Sequence, residues 1–515
     1  MKKYIGLLLI ILLGLGLRIY PAVRSPGIFA EPDVYIYYSV AKQTMANNMI
    51  ITSRLSGVPP VPYSEYPGLV LVPAYLSKFT GVSLSLIFEY LPVLMGIFGI
   101  LVTYMLMYEF MHKEWVANFA AFLYAVLPAA LYRGMAGEWR GGVFVAVFLG
   151  IALLFIIKAN KRTAKWAIPG AILFIAISVW FWSGGIYTLI VIGIYIAAMA
   201  IFQLLPKAIK KCKDDARMRN RLTYLIILAL LPLGYIILSH IPYTAILIND
   251  YFSFQTSYIS ELEPTSISII TVYFGWTFEA AVMGLGLMIY LDSREKFHKE
   301  QFAMFALFMP TIIMASMELR WLSLFAIPAC IYASYLVYAL AATLRLRRRQ
   351  IIIAITGLSA IALLLGLYVM LPLRPADSIN NGFLQALTWL KANTPANATV
   401  LTMWPDGSLV EGYADRESYT DSIMSMDPQA AAAFERFLYQ PAGNYTYITS
   451  LKPSYMLVRK TWLQELPGIL IESGLPLNKS YNGTNMQQFL QVNGTAPPPF
   501  PVVFRNNDTI IYRIG

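Results

Sequence analysis

Residues 402–421, which read TMWPDGSLVEGYADRESYTD, combine an aromatic ring with several charged side chains. Pro405 and Gly407 break any helix there, so the sequence predicts a loop. On a rigid turn, the ring of Trp404 can cover a methyl group of a small ligand while the carboxylate of Asp406 accepts a hydroxyl proton. A surface turn whose tryptophan packs on its own domain explains the same composition. The charged members of the segment include Asp406, Glu411, Asp415, Arg416 and Asp421.

Two further acids lie in segments that flank apolar sequence. Asp33 stands in SPGIFAEPDVYIYYSV, just after the first apolar run, and is either a solvated loop residue or a ligand. Glu138 lies in YRGMAGEWRGG, residues 132–142, where it either pairs with Arg133 or Arg140 or has a functional role. Charged groups in so short a loop between apolar segments are costly unless they are paired or hydrated.

A third acidic segment, residues 241–266, carries Asp250, Glu261 and Glu263 and contains no lysine or arginine. Carboxylates from separate loops are the oxygen ligands that Mg²⁺ and Mn²⁺ prefer. We therefore expect this segment to form a cation site with Asp33 and the acid of the 132–142 loop. The sequence contains no compact metal-binding spacing.

Arg320, in MELRWLSLF, lies where an apolar segment ends. A guanidinium at that depth in a membrane needs an anionic partner. Glu318 is one candidate partner. A lipid phosphate or pyrophosphate is the other, because the forked guanidinium matches phosphate oxygens. The local sequence leaves both open.

The elements that carry these residues are predicted to be membrane-spanning helices. Of the 515 residues, 58% are hydrophobic and 13% are charged, which is about half the charged fraction of soluble proteins. Apolar runs of roughly 17–25 residues are the length that spans a bilayer. The sequence predicts eleven such runs, and breaks within the long apolar stretches allow one or two more. They lie at about 5–20, 85–108, 116–132, 141–157, 166–181, 187–205, 222–240, 267–291, 302–318, 321–342 and 351–372.

Basic residues orient these predicted spans. Counted by alternate sides, one set of loops before residue 374 carries 21 lysines and arginines, and the other set carries eight. Because cytoplasmic loops are enriched in lysine and arginine, the N-terminus is expected in the cytoplasm. An odd number of spans then places the C-terminal segment outside. The net charge of +11 reflects this topology and does not indicate a nucleic-acid partner.

The C-terminal segment reads as a soluble domain. Residues 380–393 and 427–440 predict helices, and residues 454–459 and 501–513 predict strands, so a mixed α/β domain is expected. We therefore predict a transmembrane domain at 1–373, with long outer loops at 21–84 and 241–266, and an extracytoplasmic tail domain at 374–515, which carries the 402–421 segment.

All Asn-x-Ser/Thr triplets, the acceptors of N-linked sugars, lie in the tail domain, which agrees with its predicted side of the membrane. They begin at Asn397, Asn444, Asn478, Asn482, Asn493 and Asn507.

Together these features resemble the catalytic subunit of oligosaccharyltransferase in its single-subunit archaeal form, and the likeness covers essentially the whole chain. MWPDGSLVEGYADR is similar to the family's WWDYG block, which in that family binds the hydroxyl residue of the acceptor sequon. The resemblance implies this role for Trp404 and Asp406, with Met403 in place of the first tryptophan. Pro405 occupies the third position of the block, where the family has its aspartate.

The acidic segments also resemble motifs of this family. AEPDVYIYY is similar to its first acidic motif, which implies that Asp33 binds the metal and contacts the acceptor amide. YISELEP resembles its S-x-x-E-type loop motif and implies the matching role for Glu261. YRGMAGEWRGG matches the lead-in of its second acidic motif, whose acids would fall at Arg140 and Gly142. Glu138, two residues before the first of these positions, is the predicted substitute.

The resemblance implies a GT-C-type membrane enzyme with about 11–13 transmembrane helices that acts as a single subunit. It implies transfer of a glycan, with inversion, from a polyprenyl or dolichyl (pyro)phosphate carrier to an asparagine of an acceptor polypeptide. Asp33 and Glu261 would be the catalytic acids, and Mn²⁺ or Mg²⁺ would bind to them and to Glu138. Arg320 matches the family's arginine near the lipid pyrophosphate. The family's second C-terminal motif is expected around VRKTWLQELPGIL but is not placed.

Two other functions fit parts of the sequence. Another GT-C membrane glycosyltransferase, which uses a lipid-phosphate sugar, would share the acid near the first span and needs no sequon pocket. A transporter or flippase would need polar residues at mid-membrane positions on broken helices. The ionisable residues cluster at one edge of the predicted spans instead, which argues against transport.

Overall fold

The computed structural model describes most of the chain. The described residues are 5–48, 67–159, 166–208, 218, 222–226, 265–292, 299–317, 319–372, 379–420, 428–463, 475–476, 479–491 and 497–515. Glu261 and most of the predicted span at 222–240 lie outside them.

The chain divides into two compact units that do not follow its linear order. The helical unit comprises Met1–Pro21, Tyr90–Ala136 and Arg140–Leu373. The mixed unit comprises Ala22–Glu89, Gly137–Trp139 and Arg374–Gly515. The mixed unit thus contains the predicted tail domain together with Asp33 and Glu138. The functional division at residue 373 stays a prediction.

Most helices before the tail domain follow the predicted apolar runs. In chain order they are α1 Ile5–Arg24, α2 Pro32–Ala46, α3 Pro67–Thr80, α4 Leu84–Met111, α5 Glu114–Val126, α6 Pro128–Arg133, α7 Gly141–Ala159, α8 Ala167–Phe181, α9 Ile186–Ala208, α10 Ile267–Phe274, α11 Trp276–Asp292, α12 Lys299–Met317, α13 Leu322–Thr343 and α14 Arg348–Met370. Ten of the eleven predicted runs are covered by these helices, whereas α2 and α3 lie in the predicted outer loop at 21–84.

Six helices among the described residues are long and apolar enough to cross a membrane, and a bent pair makes a seventh. The six are α1, α4, α7, α9, α13 and α14, and the pair is α10 with α11. Three shorter apolar helices, α5, α8 and α12, coincide with further predicted spans. The polytopic helical class is therefore confirmed, whereas the predicted number of 11–13 spans stays a prediction.

Two of the predicted continuous spans are broken, each at a residue that disfavours the helix. Leu127 has an extended backbone (ψ 124°) between α5 and α6, because the following Pro128 excludes the helical region for the residue before it. Gly275 has φ +53° between α10 and α11, a conformation that favours glycine. The two helices on either side of Gly275 meet at 97°.

The tail domain has the predicted mixed α/β structure. Its helices are α15 Asn381–Asn393, α16 Trp404–Gly412, α17 Pro428–Leu438, α18 Thr446–Leu451 and α19 Asn485–Leu490. Its strands are β1 Thr399–Leu401, β2 Glu417–Ser418, β3 Tyr455–Arg459, β4 Val502–Arg505 and β5 Thr509–Arg513. The sheet has the order β2-β1-β3-β5-β4, with β1 parallel to both of its neighbours and β5 antiparallel to β3 and β4. The predicted helices at 380–393 and 427–440 and the predicted strands are confirmed.

The predicted loop within residues 402–421 is wrong, because α16 begins at Trp404. Pro405 lies in the first helical turn, where a missing N–H costs nothing and the fixed φ suits a helix. Gly407 is required by packing rather than by a turn. A Cβ there would overlap the carbonyl oxygen of Thr420 and lie 2.7 Å from Ser418 Oγ.

Candidate active site

Asp33 stands at the accessible end of a largely buried helix. It lies in the first turn of α2, which begins with Pro32, and a carboxylate is favourable near the positive end of the helix dipole. The following residues Val34, Tyr35 and Ile36 are buried, whereas Asp33 is partly exposed. The fold therefore fixes the backbone of Asp33 and leaves its carboxylate within reach of a ligand.

A glycine at position 137 brings the Glu138 loop next to the segment before Asp33. Ala30 N–H donates to the Gly137 carbonyl at 3.0 Å, and Gly137 N–H donates to the Glu89 carbonyl at 2.8 Å. Gly137 has φ +79°, and a Cβ there would lie 3.2 Å from Phe29 Cα. Within the mixed unit, this close backbone contact holds the fully buried Glu138 beside the start of α2.

The structure reveals two acids of this region that the sequence analysis missed. Glu31 precedes α2 as its N-cap residue, and Glu89 supplies the carbonyl that binds Gly137; both side chains are buried. Glu89 falls within the predicted span at 85–108. An acid inside an apolar run is costly and usually functional or paired, so that position was a signal in the sequence.

Arg18, one of the eight basic residues in the smaller set of loops, is fully buried and bonds to the segment that follows α6. Within the helical unit its guanidinium donates to the carbonyls of Ala125 (3.1 Å) and Tyr124 (3.4 Å) at the C-terminal end of α5. Its own carbonyl accepts from Ala136 N–H at 2.9 Å. Gly96 makes room for it, because a Cβ there would lie 2.7 Å from Arg18 Cδ. A cation at a helix C-terminus is electrostatically favourable.

The Asp33 helix packs directly against the Trp404 helix. At their contact, a Cβ on Gly412 would lie 2.6 Å from Tyr35 Cβ and overlap the Tyr35 carbonyl oxygen. The ring of Tyr35 also meets the ring of Tyr413 edge-on, with centroids 6.3 Å apart. Phe29 N–H donates to the Tyr35 hydroxyl at 3.1 Å, and burial raises the pKa of this phenol well above its usual value. Helices separated by more than 350 residues in sequence thus share one interface.

Asp406 is held from two sides by the end of β3. Its Oδ1 accepts from Arg459 Nη1 at 2.6 Å, and its Oδ2 accepts from Trp462 Nε1 at 2.9 Å. The residue is 4% exposed. Each carboxylate oxygen has a second lone pair that can accept a further donor. Acceptance of a sequon hydroxyl by Asp406 therefore stays a prediction, while its observed contacts anchor the first turn of α16.

Arg459 connects Asp406 to the rest of the tail domain. Its Nε lies 3.4 Å from Asp508 Oδ2, and its guanidinium carbon lies 4.1 Å from the centre of the Phe383 ring. Two carboxylates and an aromatic face thus surround one partly buried cation, which compensates for the desolvation of its guanidinium. These contacts place the VRKTWL segment, which the sequence could not assign, beside the 402–421 segment.

The three residues expected to bind the sequon differ in exposure. Met403 is buried in the tail-domain core with Leu401, Phe434 and Trp462. Trp404 is partly exposed at the start of α16. Of the three, Trp404 therefore offers the most side-chain surface to a ligand, whereas Met403 and Asp406 are buried.

The remaining predicted site residues are only partly described. Arg320 lies in a 3₁₀ turn, Leu319–Trp321, between α12 and α13 of the helical unit. The side chain of Arg320 and the residues Glu318 and Glu261 lie outside the described parts. Within the described parts, no three histidine, cysteine, aspartate or glutamate side chains are grouped around a possible metal position. The acceptor asparagines Asn397, Asn444, Asn482 and Asn507 are exposed, and Asn478 and Asn493 are outside the description.

The chain combines apolar helices with a C-terminal mixed sheet. No protein-family model matches the chain. A dolichyl-phosphooligosaccharide-protein glycotransferase of Pyrococcus horikoshii is 27% identical over 173 residues, which are 32% of this chain. The match spans 18% of the length of that relative.

Solved structures share the fold over nearly the whole chain. The apo oligosaccharyltransferase of Archaeoglobus fulgidus has a TM-score of 0.72 at 17% identity, covering 98% of this chain and 80% of its own. The oligosaccharyltransferase AglB of Archaeoglobus fulgidus, in complex with an inhibitory peptide and a dolichol-phosphate, has a TM-score of 0.70 at 16% identity, covering 92% of this chain and 72% of that chain. ArnT of Cupriavidus metallidurans bound to undecaprenyl phosphate has a TM-score of 0.55 at 12% identity, covering 98% of this chain and 96% of that chain. The resemblance expected from the motifs is confirmed at the level of the fold.

Proposed function

We propose that this protein is an oligosaccharyltransferase, which moves a glycan from a polyprenyl or dolichyl (pyro)phosphate carrier to the asparagine of an Asn-x-Ser/Thr sequon. The observation that carries the proposal is the packing of α2, with Asp33 in its first turn, on α16, which begins at Trp404. This packing joins a carboxylate suited to the acceptor amide with an aromatic surface suited to the sequon. The relatives named above include a glycotransferase and oligosaccharyltransferase structures, which supports the same activity.

Asp33 is proposed to bind and activate the acceptor amide. An amide nitrogen is a weak nucleophile because its lone pair is delocalised into the carbonyl group. Asp33 accepts a hydrogen bond from this nitrogen and orients its lone pair, and Glu261 is expected to accept a second one. The nitrogen then forms a bond to the anomeric carbon with inversion. The carbon–oxygen bond to the carrier breaks with its electron pair on the phosphate, and the amide proton passes to the carboxylate of Asp33.

A divalent cation, Mn²⁺ or Mg²⁺, suits the acids of this region. Asp33 and Glu138 provide hard oxygen donors, and the backbone hydrogen bonds of Gly137 hold the Glu138 loop beside the start of α2. Asp33, Glu138 and Glu261 are the residues proposed to hold the cation. When bound, the cation stabilises negative charge on the departing phosphate. The protein residues themselves position the amide and keep it aligned.

The sequon is proposed to bind across the start of α16. The partly exposed ring of Trp404 covers the methyl group of threonine, and Asp406, whose N–H donates to the Met403 carbonyl at 3.1 Å, accepts a hydrogen bond from the hydroxyl. Arg459 and Trp462 hold the side chain of Asp406 in place through the two contacts described above. A site built to pair with a hydroxyl strongly disfavours a substrate that lacks it.

The carrier and the membrane orientation complete the proposal. Arg320 is proposed to bind the carrier phosphate through its guanidinium. The charge distribution of the sequence supports a cytoplasmic N-terminus and an extracytoplasmic tail domain in the cell membrane. The protein is proposed to work as a single subunit.

A peptide assay tests the proposed function. Membranes that contain the protein are incubated with Mn²⁺, lipid-linked glycan and fluorescent peptides that carry Asn-Ala-Thr, Asn-Ala-Ala or Gln-Ala-Thr. Only the first peptide is expected to gain the mass of a glycan on its asparagine. Equal modification of the first two peptides would refute the sequon-binding role of Trp404 and Asp406.

A second candidate function is sugar transfer from a lipid phosphate to a lipid or to a serine or threonine. The similarity to ArnT over 98% of this chain supports it. It requires no peptide pocket, so the contact between α2 and α16 would have no catalytic purpose. Modification of lipid but of no peptide in the same membranes would favour this candidate.

A further inference from the structure

The described sequons of the tail domain share an exposed asparagine but differ in the burial and hydrogen bonding of the threonine two residues later. The asparagines are Asn397, Asn444, Asn482 and Asn507. In the proposed function, the enzyme must reach both the amide nitrogen and the threonine hydroxyl of its acceptor. Whether a folded sequon can be used therefore depends on the threonine as well as on the asparagine.

Two of these threonines are buried in the fold. Thr509, which belongs to the Asn507 sequon, is fully buried in β5, and its hydroxyl donates to Asp508 Oδ2 at 2.9 Å. Strand β5 is hydrogen-bonded on both sides, by β3 and β4. Thr484, of the Asn482 sequon, is 6% exposed, and its hydroxyl donates to the carbonyl of Tyr481. Neither hydroxyl can reach an external carboxylate unless the surrounding structure opens.

The threonine of the Asn397 sequon is part of a strand in the sheet. Thr399 lies in β1, which is hydrogen-bonded to β2 and β3. Its Oγ1 accepts from Ser454 N–H at 3.0 Å and lies 3.3 Å from Ser454 Oγ. Thr399 is partly buried, so its presentation to an enzyme requires separation of β1 from its neighbours.

The Asn444 sequon differs from the other three. Thr446 is exposed as the first residue of α18, a surface helix of six residues. Its hydroxyl donates at 2.9 Å to Oδ1 of Asn444, within the triplet itself. This bond is solvent-exposed and requires no strand or core residue to move when it breaks. The free energy of such local opening is small compared with that of opening a central strand.

We propose that Asn444 is a glycan acceptor in the folded protein, whereas Asn397, Asn482 and Asn507 accept glycan only before the tail domain folds. This inference rests on the proposed function and adds the protein itself to its acceptor polypeptides. The glycan is transferred to Asn444 Nδ2 with the same bond changes as for a peptide acceptor.

The test uses the full-length protein, produced and folded in a host that makes no lipid-linked glycans. A Gly-Ser-Asn-Tyr-Thr-Gly-Ser segment is appended after Gly515, so that the triplet of Asn444 is also present in a flexible form. The purified protein is then incubated with Mn²⁺ and a lipid extract of cells that make the protein naturally. Mass spectrometry of its proteolytic peptides measures the glycan at each asparagine. Synthetic peptides that span 395–401 and 505–511 are added as unfolded acceptors.

The expected result is a glycan on Asn444, on the appended triplet and on both synthetic peptides, with at least about tenfold less at Asn397, Asn482 and Asn507 of the folded protein. Thr446→Ala removes the glycan from Asn444, Thr446→Ser retains it, and Thr449→Ala, a matched change in the same helix, leaves it unaltered. An unmodified Asn444 beside a modified appended triplet, or equal modification of Asn507, would overturn this inference alone. If the appended triplet and the synthetic peptides also remain unmodified, the proposed function fails and the inference fails with it.

Discussion

Gly412 and Tyr35 are in backbone contact although they are far apart in sequence. A Cβ on Gly412 would overlap the Tyr35 carbonyl oxygen and lie 2.6 Å from Tyr35 Cβ. Only glycine lets α16 approach α2 this closely. Because α2 carries Asp33 and α16 begins at Trp404, this contact sets the spacing between the two halves of the proposed acceptor site.

Gly412→Ala is therefore expected to lower both stability and activity. Overpacking at a tight contact costs about 1–3 kcal/mol of unfolding free energy, and separation of α2 from α16 should lower glycan transfer to peptide. Thermal unfolding of the purified protein in detergent and the peptide assay measure the two effects. Gly357→Ala in α14 is the control, because a Cβ there has open space. Equal behaviour of the two variants would contradict the close packing at Gly412.

The buried Asp406 and the partly buried Arg459 form an ion pair whose disruption should be costly. Asp406→Ala leaves Arg459 without its shorter carboxylate contact, and loss of one partner of a buried pair costs about 3–5 kcal/mol. Asp508→Ala should cost less, because its contact with Arg459 is longer, 3.4 Å against 2.6 Å. Denaturant unfolding of Asp406→Ala, Arg459→Met and the double variant Asp406→Ala/Arg459→Met measures the coupling energy of the pair, and Asp508→Ala is measured in the same way. Additive losses in the double variant would show that the pair contributes no coupling energy.

The tail-domain sheet is expected to lose stability at alkaline pH. Burial raises the pKa of Tyr512 from 10 to about 12, and its hydroxyl donates to the Phe489 carbonyl at 2.6 Å. Because the folded state holds this proton more tightly, the stabilisation is complete below pH 10 and is lost as pH rises from 10 to 12. Tyr512→Phe should flatten the decline of unfolding free energy over this range. If the unfolding free energy of Tyr512→Phe declines with pH as steeply as that of the parent protein, Tyr512 does not cause the decline.

Glu138 is expected to affect metal use more than folding. Glu138→Gln preserves the size of the side chain but removes an anionic oxygen, so a higher Mn²⁺ concentration should be needed for half-maximal activity. Glu417→Gln, a change in strand β2 outside the proposed site, serves as the control. The dependence of the peptide assay on Mn²⁺ gives the measurement. Parallel Mn²⁺ curves for Glu138→Gln and the parent protein would remove Glu138 from the proposed metal site.

The sequence predicts the fold well where long apolar runs dominate, because length and composition alone identify a spanning helix. It fails where packing decides the outcome. Pro405 and Gly407 indicated a loop. In the structure, Pro405 lies in the first turn of α16, and Gly407 makes room for the Thr420 carbonyl oxygen. Local helix-breaking tendencies are weak compared with such tertiary contacts.

The candidate site was predictable only as separate segments. Asp33 and Trp404 were identified from their own surroundings, but nothing near either residue encodes the packing of α2 on α16, which is seen at Gly412 and Tyr35. Likewise, the buried partners of Asp406, namely Arg459 and Trp462, lie more than 50 residues away along the chain. Their approach depends on the order of strands in the sheet, which the alternating pattern of one strand does not specify.

The most direct test of the account compares Asp33→Ala with the parent protein in the peptide assay. Parent membranes are expected to convert an Asn-Ala-Thr peptide to a product with a glycan on asparagine, and a chelator should stop this conversion. Asp33→Ala should abolish the conversion, while the purified variant keeps the thermal stability of the parent. Full conversion by a folded Asp33→Ala variant would contradict the central claim that the acid of α2 acts on the acceptor amide.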